Sequence, residues 1–453
     1  MECDDGETGT ATILVEHAAE GENRMIIIIL GANHAGMDVE RVEGLFGCDR
    51  DRHSSPHVVV IQGELPRTTT LALTTTLQYP NCACDIPSHA YSFKWALNPE
   101  WPRFFSKSED IWQYLDKICK VFSLRRYMTF NASVVECRWK PQQGKWSVKY
   151  EQIINGETLA FEETCDILLH LTGVLNKPAW PSVDGLDVFK GKVIHTASWP
   201  KGYNQAQWQK EKVAVIGSGA SSIQTVPGMQ PFVRHMDIFV RTAVWFVQIA
   251  RNYGQNYEYS QHDKSTFRKD KRRIVEHAKD LEDQVNGIFD GFFRDSDAQK
   301  DLRDTYTARM TSMIKDEKLR KGFTPKFAVG CRRVTPGDPY IEAVQQPNVS
   351  VHFTDMQRLT ENGVVGMDGI ERQVDTVICA TGFDVSFRPV FPVIGEHGVD
   401  LAAKWKKIPE CYLGITIPGF PNLATFIGPT WPISNGSCLG PLDAVGNYAI
   451  QMI

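Results

Sequence analysis

The sequence predicts an α/β protein with two parallel sheets, each covered by helices on both faces, and a helical insertion. Three observations support this fold class. Short apolar runs rich in β-branched residues lead into glycine-containing turns. These runs alternate with helical stretches, which is typical of a doubly wound fold. The runs are also continuously apolar rather than alternating, which indicates strands buried on both faces of a parallel sheet.

The predicted strands follow one another along the chain at residues 25–30, 57–64, 166–171, 212–216, 236–242 and 375–380. Residues 260–321 differ from the rest because they are rich in charged residues. Apolar side chains recur there at helical spacing, for example at Ile274, Leu281 and Val285. This pattern predicts a solvated helical insertion with one buried stripe.

Composition narrows the class of protein further. The 453 residues exceed one comfortable core, and 42% apolar with 23% charged residues is ordinary for a soluble enzyme. A net charge of −5 without a long basic tract argues against a nucleic-acid partner. The longest strongly apolar run, residues 25–30, is too short to span a membrane. The acidic N-terminus does not resemble a signal peptide.

The 11 cysteines are an odd number and show no repeated metal-binding pair. Cys82 and Cys84 flank a single alanine, which is a poor spacing for zinc and for a mutual disulfide. We therefore expect reduced thiols, a cytoplasmic protein and no metal site.

The segment KVAVIGSGASSIQTV, residues 212–226, reads as strand, tight turn and helix. Gly217 permits the turn, and Gly219 lets the backbone approach a pyrophosphate at the positive N-terminus of the helix. Ser222 stands at the third glycine position and is small enough for close packing of helix and strand. A second strand follows, so the segment predicts a Rossmann-like dinucleotide site.

The strand at 236–242 ends on Arg241 and Thr242. A site for NADH places an acidic residue there to bind the ribose 2′-hydroxyl, whereas a guanidinium pairs with a 2′-phosphate. The sequence therefore predicts NADPH as the nucleotide of this domain.

The segment FKGKVIHTASWP, residues 189–200, carries Phe189, Gly191, His195, Trp199 and Pro200 at defined intervals. With this fingerprint upstream of the glycine turn, the chain resembles Baeyer–Villiger monooxygenases, above all fungal members of secondary metabolism. The resemblance runs from about Tyr79 to Ser437. It implies two Rossmann-like domains, for FAD and NADPH, and the insertion of one oxygen atom from O2 into a ketone.

The resemblance also implies roles for single residues. By the match of YPNCACDIPSHAYSF, residues 79–93, Asp85 is the acid beside the flavin. By the match of GCRRVTPGDPYIEAV, residues 330–344, Arg333 is the active-site arginine, charged in a dry site and able to stabilise a developing oxyanion. His195 and Trp199 are implied as a hinge contact that senses the nicotinamide side, and His195→Ala is expected to uncouple NADPH oxidation with the fold intact. The remaining implied cofactor-binding residues are Ala83, Cys84 and Asp85 for NADP, Asp85, Ile86 and Tyr91 for FAD, and Ser218, Gly219, Ala220, Ser221, Ser222, Ile223 and Gln224 for the NADP phosphates.

The sequence departs from the family pattern in the first glycine turn. GANHAG keeps Gly31 and Gly36, which we expect at the FAD pyrophosphate, but Asn33 replaces the middle glycine. Residues 31–78 as a whole are divergent, and the C-terminus is short. The expected domains are residues 1–185 and 369–453 for FAD, and 186–368 for NADPH with the insertion at about 260–321.

Three functions remain open on the sequence. The first is a ketone-oxidising monooxygenase that uses a small-molecule ketone and O2, with neither nucleic acid nor membrane as partner and with an unknown oligomeric state. The second is an N- or S-oxygenating flavin enzyme of the same fold. The third is an inactive protein that retains the NADPH half and does not hold flavin.

Overall fold

Two five-stranded parallel sheets frame the protein in the computed structural model, which describes residues 26–31, 57–61, 79–250, 256–431 and 436–452. The first sheet has the strand order β17–β7–β1–β2–β3. Its strands are β1 (Ile26–Gly31), β2 (His57–Ile61), β3 (Met128–Thr129), β7 (Ile167–Leu171) and β17 (Leu423–Thr425). The order reverses between β1 and β7, and such a switch point is where open α/β sheets bind their ligands.

The second sheet has the strand order β11–β10–β9–β15–β8 and is also parallel throughout. Its strands are β8 (Lys192–His195), β9 (Lys212–Ile216), β10 (His235–Phe239), β11 (Val349–His352) and β15 (Thr376–Cys379). The two parallel sheets and the predicted strands in them are confirmed. Both are the product of short, continuously apolar segments.

Burial on both faces explains why the strand β9 is apolar at four successive positions, Val213–Ile216. In β9, Val213 and Val215 join the cluster on one face of the sheet, whereas Ala214 and Ile216 join the cluster on the other. The helix α3 (Ala220–Met229) covers the first of these faces with Ile223, Val226 and Met229. A buried polar side chain loses its hydration and needs a partner; Asp237 of β10 is buried and contacts the His352 ring nitrogen at 2.7 Å.

The strand β15 corrects the expected domain boundary at residues 368 and 369. From the sequence, residues 375–380 are expected in the returning part of the first domain. The structure instead pairs Thr376–Cys379 with β9 on one side and β8 on the other, in the second sheet. The chain therefore returns to the first sheet only after Cys379, through β17, which pairs with β7.

Two further sheets, one antiparallel and one mixed, have no clear sequence signal because their strands are short or face solvent. One contains β4 (Ala132–Lys140), β5 (Lys145–Ile154) and β6 (Glu157–Cys165), with β16 (Val393–Ile394) along β4. The other contains β12 (Met356–Leu359), β13 (Gly363–Gly366) and β14 (Glu371–Gln373). One local signal was present: Asn155 and Gly156 both have positive φ in the β5–β6 hairpin, as an Asn-Gly turn requires.

The helical insertion is confirmed. It comprises α4 (Gln261–Lys269), α5 (Lys271–Asn286), α6 (Asp297–Met313) and α7 (Glu317–Phe323). Ile274, Leu281 and Val285 form the buried stripe of α5. The other helices are α1 (Ser108–Val121), α2 (Gln205–Trp208), α8 (Asp338–Ala343), α9 (Leu401–Lys404) and α10 (Leu439–Met452). Among the described residues, no helix is both long and apolar enough to cross a membrane.

Candidate cofactor and active site

The glycine turn after β9 is built around Gly217. Its φ is +114°, and a Cβ atom there would lie 2.4 Å from the carbonyl oxygen of Ala380. Only glycine fits both conditions. The turn is also held by a hydrogen bond from the Gly217 N–H to the Phe239 carbonyl, at 3.0 Å. The ends of β9, β10 and β15 therefore meet at one edge of the second sheet.

Gly219 has a different role, because a Cβ atom there would meet no atom of the described residues within 4 Å. Among the described residues, the space that a side chain at this position would fill is therefore open. It lies in front of α3, whose first residue is Ala220. The free N–H groups at a helix N-terminus favour an anion. The Ser218 hydroxyl donates a 2.6 Å hydrogen bond to the Thr242 carbonyl and so ties this turn to the end of β10.

A cleft of about 570 Å³ lies at this edge of the sheet. Arg241, Thr242 and Asp355 line it together with Arg332. The Arg241 guanidinium contacts the Asp355 carboxylate at 3.3 Å and remains 75% exposed. Arg332 was not among the cofactor residues expected from the sequence. Its guanidinium lies over the Phe327 ring, 5.6 Å from the centroid. Two guanidinium groups and a helix N-terminus in one cleft fit a dinucleotide with an additional phosphate.

The residues predicted to line the phosphates divide into two groups. Ser218 and Gly219 lie in the cleft wall, and Ala220 and Ser221 form the first turn of α3. Ser222 and Ile223 are buried, 0% and 4% exposed. Contact of these two residues with a phosphate stays a prediction. Burial of Ser222 agrees with the small residue required for close packing of helix and strand.

The side chain of Gln224 contacts the loop at residues 79–93, and its predicted place at the phosphates stays a prediction. Its Oε1 accepts hydrogen bonds from the Tyr79 hydroxyl at 2.9 Å and from the Ala83 N–H at 3.2 Å. Its Nε2 donates to the Ala83 carbonyl at 2.8 Å. The amide of Gln224 is therefore committed to the loop.

The loop at 79–93 is held on its other side by residues 103–106. The Cys84 N–H donates to the Ser106 carbonyl at 2.8 Å, and the Ser88 N–H donates to the Phe104 carbonyl at 2.7 Å. Ile86 is buried in the main apolar cluster. These contacts leave Asp85 in a fixed position between Cys84 and Ile86.

Asp85 and Arg333 form an ion pair. The Arg333 Nη2 donates to the Asp85 Oδ1 at 2.7 Å, and the two side chains are 57% and 14% exposed. The Asp85 carboxylate raises the pKa of Arg333 above its ordinary value. The guanidinium therefore stays charged, with donors left over for another oxygen atom.

The segment that carries Arg333 is fixed by backbone pairing. The Thr335 N–H donates to the Trp245 carbonyl at 3.3 Å, and the Val247 N–H donates to the Thr335 carbonyl at 3.1 Å. This pairing orients two neighbouring arginines differently. Arg332 faces the cleft, whereas Arg333 faces the loop. The two neighbouring arginines therefore lie at two adjacent sites, Arg332 at the cleft and Arg333 at the ion pair with Asp85.

Tyr91 lies near the same ion pair. The neighbouring Cys438 thiol, followed by burial, raises the pKa of Tyr91 well above its ordinary value. Burial likewise raises the pKa of the Cys438 thiol and of the Cys84 thiol. Nine cysteines are free among the described residues, in agreement with the expected reduced thiols. The thiols around Tyr91 are held protonated and unreactive.

The other predicted cofactor site lies at the first sheet, which is described only in part. Gly31 ends β1 opposite Leu171 of β7, at the switch point. Gly36 and the rest of the divergent turn lie outside the described residues. A small cavity of about 30 Å³ follows the ends of β7 and β17, with His170, Thr172 and Gly173 on one side and Gly428 on the other. At Gly428 a Cβ atom would lie 2.6 Å from the Gly414 carbonyl oxygen, so this glycine is required by the packing of two backbone segments.

The two remaining predicted residues, His195 and Trp199, are buried. His195 Nδ1 accepts a hydrogen bond from the Ala197 N–H at 3.0 Å, and burial lowers the His195 pKa. Its ring lies 5.2 Å from that of Trp180, which lines the cleft. Trp199 Nε1 donates to the Tyr203 carbonyl at 2.9 Å. Neither residue is among the described residues that line the cleft, so contact of His195 or Trp199 with a cofactor stays a prediction. His195 contacts the cleft only indirectly, by its ring contact with Trp180.

The protein has two parallel sheets with glycine turns at their carboxyl edges, and an arginine–carboxylate pair lies beside the second sheet. This arrangement defines a protein with two dinucleotide-binding domains. Residues 88–404 match the family model described as flavin-binding monooxygenase-like. The chain belongs to this family.

Curated relatives are similar over most of the chain. The FAD-binding monooxygenase moxY of Dothistroma septosporum is 58% identical over 379 residues, which are 83% of this chain and 60% of the relative. The FAD-binding monooxygenase stcW of Emericella nidulans is 54% identical over 83% of this chain and 63% of its own length. A Baeyer–Villiger monooxygenase of Streptomyces coelicolor is 34% identical over 82% of this chain and 68% of its own. The chain thus spans about 60% of the length of the fungal relatives.

Solved structures show the same fold. Cyclohexanone monooxygenase from Rhodococcus sp. Phi1, bound to NADP+, aligns with a TM-score of 0.75 at 23% identity, over 95% of this chain and 84% of that chain. The OTEMO complex with FAD and NADP aligns with a TM-score of 0.78 at 23% identity, over 94% and 83% of the two chains. The fold predicted from the sequence is confirmed.

Proposed function

We propose that the chain is an FAD- and NADPH-dependent monooxygenase that converts a ketone to an ester or lactone. One oxygen atom of O2 enters a carbon–carbon bond of the ketone, and the other leaves as water with two electrons from NADPH. The observation that carries the proposal is the ion pair of Asp85 and Arg333 beside the NADPH cleft. The relatives named FAD-binding and Baeyer–Villiger monooxygenases support it.

Arg333 would stabilise negative charge on oxygen. A ketone carbonyl acquires negative charge when a nucleophile adds to it, and preorganised donors lower the barrier to this step. Arg333 uses one nitrogen on Asp85 and keeps other N–H groups free for the substrate oxygen. Asp85 orients the guanidinium.

The second-sheet cleft would hold NADPH. The pyrophosphate would lie at the N-terminus of α3, with Gly219 giving it room. Arg241 and Arg332 would bind the 2′-phosphate, and Arg241 would exchange its contact with Asp355 for this phosphate. Bound NADPH supplies the hydride.

FAD would lie across the switch point of the first sheet. The described residues that would hold it are the turn at Thr172 and Gly173, the turn at Gly428, and the loop with Asp85, Ile86 and Tyr91. Bound FAD supplies the activation of O2; the protein supplies orientation and excludes water. We place the substrate among ketones of polyketide or terpenoid secondary metabolism, because of the likeness to the fungal sequences.

The test is a product analysis with the purified protein, FAD, NADPH and ¹⁸O2. A panel of cyclic and polycyclic ketones is compared with a thioether and a tertiary amine. One ¹⁸O atom in an ester or lactone supports the proposal. If sulfoxide or N-oxide is the sole product, the proposed ketone oxidation is wrong and the protein is a heteroatom-oxygenating enzyme.

The visible spectrum of the same preparation tests the third reading. A retained yellow flavin band is expected. A folded, colourless protein that binds NADP+ but no added FAD would overturn the proposal in favour of a flavin-deficient protein.

A further inference from the structure

The helix α3 contacts the loop that carries Asp85 at two places. At the first, the Gln224 amide bonds with the N–H and the carbonyl of Ala83, at 3.2 and 2.8 Å, and accepts from the Tyr79 hydroxyl at 2.9 Å. At the second, Gly228 lies one helical turn further on. A Cβ atom at Gly228 would be 2.7 Å from the Pro80 Cβ, so helix and loop touch directly.

The Gln224 contact fixes the orientation of a peptide, not only its distance. An amide side chain that pairs with both backbone groups of one residue acts like a neighbouring strand. Ala83 is two residues from Asp85, and the Cys84 N–H between them donates to the Ser106 carbonyl. The backbone that leads to Asp85 is therefore held from both sides.

The same helix begins at the cleft. Its first turn follows Gly219 in the cleft wall, whereas Gln224 lies in its second turn and faces the loop. Any movement of α3 relative to the loop would break three hydrogen bonds and change the position of Asp85 opposite Arg333. The helix thus links the position of the nucleotide domain to the geometry of the ion pair.

We propose that Gln224 is a positioning residue for the oxygenation reaction, which sets the Asp85–Arg333 pair in register with the NADPH cleft. This inference rests on the proposed function. It replaces the sequence-based expectation that Gln224 lines the NADP phosphates.

The experiment compares Gln224→Leu and Gln224→Glu with Gln230→Leu. The leucine variant removes all three bonds, whereas the glutamate variant keeps the two acceptor contacts and loses the donor to Ala83. Gln230 caps the same helix and donates to the Asn348 side chain at 2.7 Å, so its loss removes a comparable bond away from the loop. Thermal unfolding of all three variants measures the common structural cost.

Three measurements follow for each variant: hydrogen exchange of the peptide covering residues 79–86, NADP+ affinity by calorimetry, and turnover with the ratio of product to NADPH consumed. For Gln224→Leu we expect faster exchange in this peptide, a Kd for NADP+ within about twofold of the wild type, and a turnover lowered about 10- to 100-fold. Gln224→Glu should lie between the leucine variant and the wild type. Gln230→Leu should leave the exchange of residues 79–86 and the product ratio unchanged.

Two results would overturn the proposal. One is a loss of NADP+ affinity in Gln224→Leu with an unchanged product ratio, which would make Gln224 a phosphate ligand. The other is unchanged exchange of residues 79–86. If the wild type oxidises no ketone, the proposed function fails, but exchange and NADP+ affinity still decide whether Gln224 holds the loop, because neither needs a ketone.

Discussion

The Nη2 atom of Arg333 lies 2.7 Å from the Oδ1 atom of Asp85, although 248 residues separate them in the chain. The carboxylate comes from the loop before α1, within the connection between strands β2 and β3 of the first sheet, and the guanidinium comes from the segment after the helical insertion. Two parts of the molecule must therefore be correctly placed before the pair can form. Its presence is a sensitive measure of the arrangement of the whole site.

Removal of the Arg333 charge should abolish oxygenation while the fold persists. We expect Arg333→Ala to lower kcat for product formation by about 100-fold or more, as for the loss of a main oxyanion donor. Arg333→Lys should recover little, because an ammonium does not reproduce the planar fork. Arg268→Ala is the control, since Arg268 also pairs with a carboxylate, Glu100, at 2.8 Å but lies in the insertion. Equal losses in both variants would contradict a catalytic role.

Arg241 should select the nucleotide. Loss of a charge-assisted contact with the 2′-phosphate predicts that Arg241→Ala raises the Kd for NADPH about 10- to 100-fold, with little effect on NADH. Arg273→Ala provides the matched control, because Arg273 is a comparably exposed arginine on α5. Unchanged NADPH affinity would remove Arg241 from the site.

Substitutions at two glycines of one turn should affect the stability of the fold and the binding of NADP+ separately. Gly217→Ala combines a positive φ with a Cβ 2.4 Å from a carbonyl oxygen, so it should lower the free energy of unfolding by roughly 1–3 kcal/mol. Gly219→Ala meets free space, so it should unfold like the wild type but weaken NADP+ binding. Urea denaturation and calorimetry measure the two effects. The expectation fails if Gly219→Ala binds NADP+ normally.

His195 should affect both stability and coupling. Because its ring is fully buried and caps the Ala197 N–H, His195→Ala should cost about 2–4 kcal/mol. Thermal unfolding of His195→Ala therefore tests the expectation of an intact fold. His195→Asn retains an acceptor and should recover part of the stability, but it loses the ring contact with Trp180 and should still waste NADPH. Full coupling in His195→Asn would reduce this residue to a structural linker.

Acid should destabilise the contact between the loop and the insertion through His89. The ring stacks 4.8 Å from Tyr259, and its two nitrogens have no hydrogen-bond partner among the described residues. Burial, with His277 nearby, lowers the pKa of His89 to about 3. The unfolded chain takes up this proton below about pH 6.5, so the stability present above that pH is lost on acidification, at about 1.4 kcal/mol per pH unit.

The variant His89→Phe tests this pH dependence. It keeps a ring of similar shape without a titrating nitrogen, so the free energy of unfolding should fall less steeply between pH 6.5 and 4.5. Urea denaturation at several pH values measures the slope. His262→Phe, at an exposed position of α4, should behave like the wild type. Parallel curves for His89→Phe and the wild type would contradict the prediction.

The local sequence determined those elements that carry a strong pattern of apolar or glycine residues. The apolar runs of β1, β7, β9, β10 and β15, the helical insertion and the turn at Gly217 could all be predicted, because burial and backbone strain act on neighbouring residues. The sequence did not determine which sheet β15 joins, since an apolar strand fits either parallel sheet equally well.

The tertiary structure alone decided the contacts between distant segments. Whether Arg332 or Arg333 faces the cleft depends on backbone pairing with Trp245 and Val247. Whether Gln224 faces phosphate or loop depends on where residues 79–83 lie against α3. Hydrogen bonds and ion pairs of this kind depend on distances between atoms that are far apart in the chain. A local pattern can name the residue that has the required chemistry, but only the packing of the domains supplies its partner.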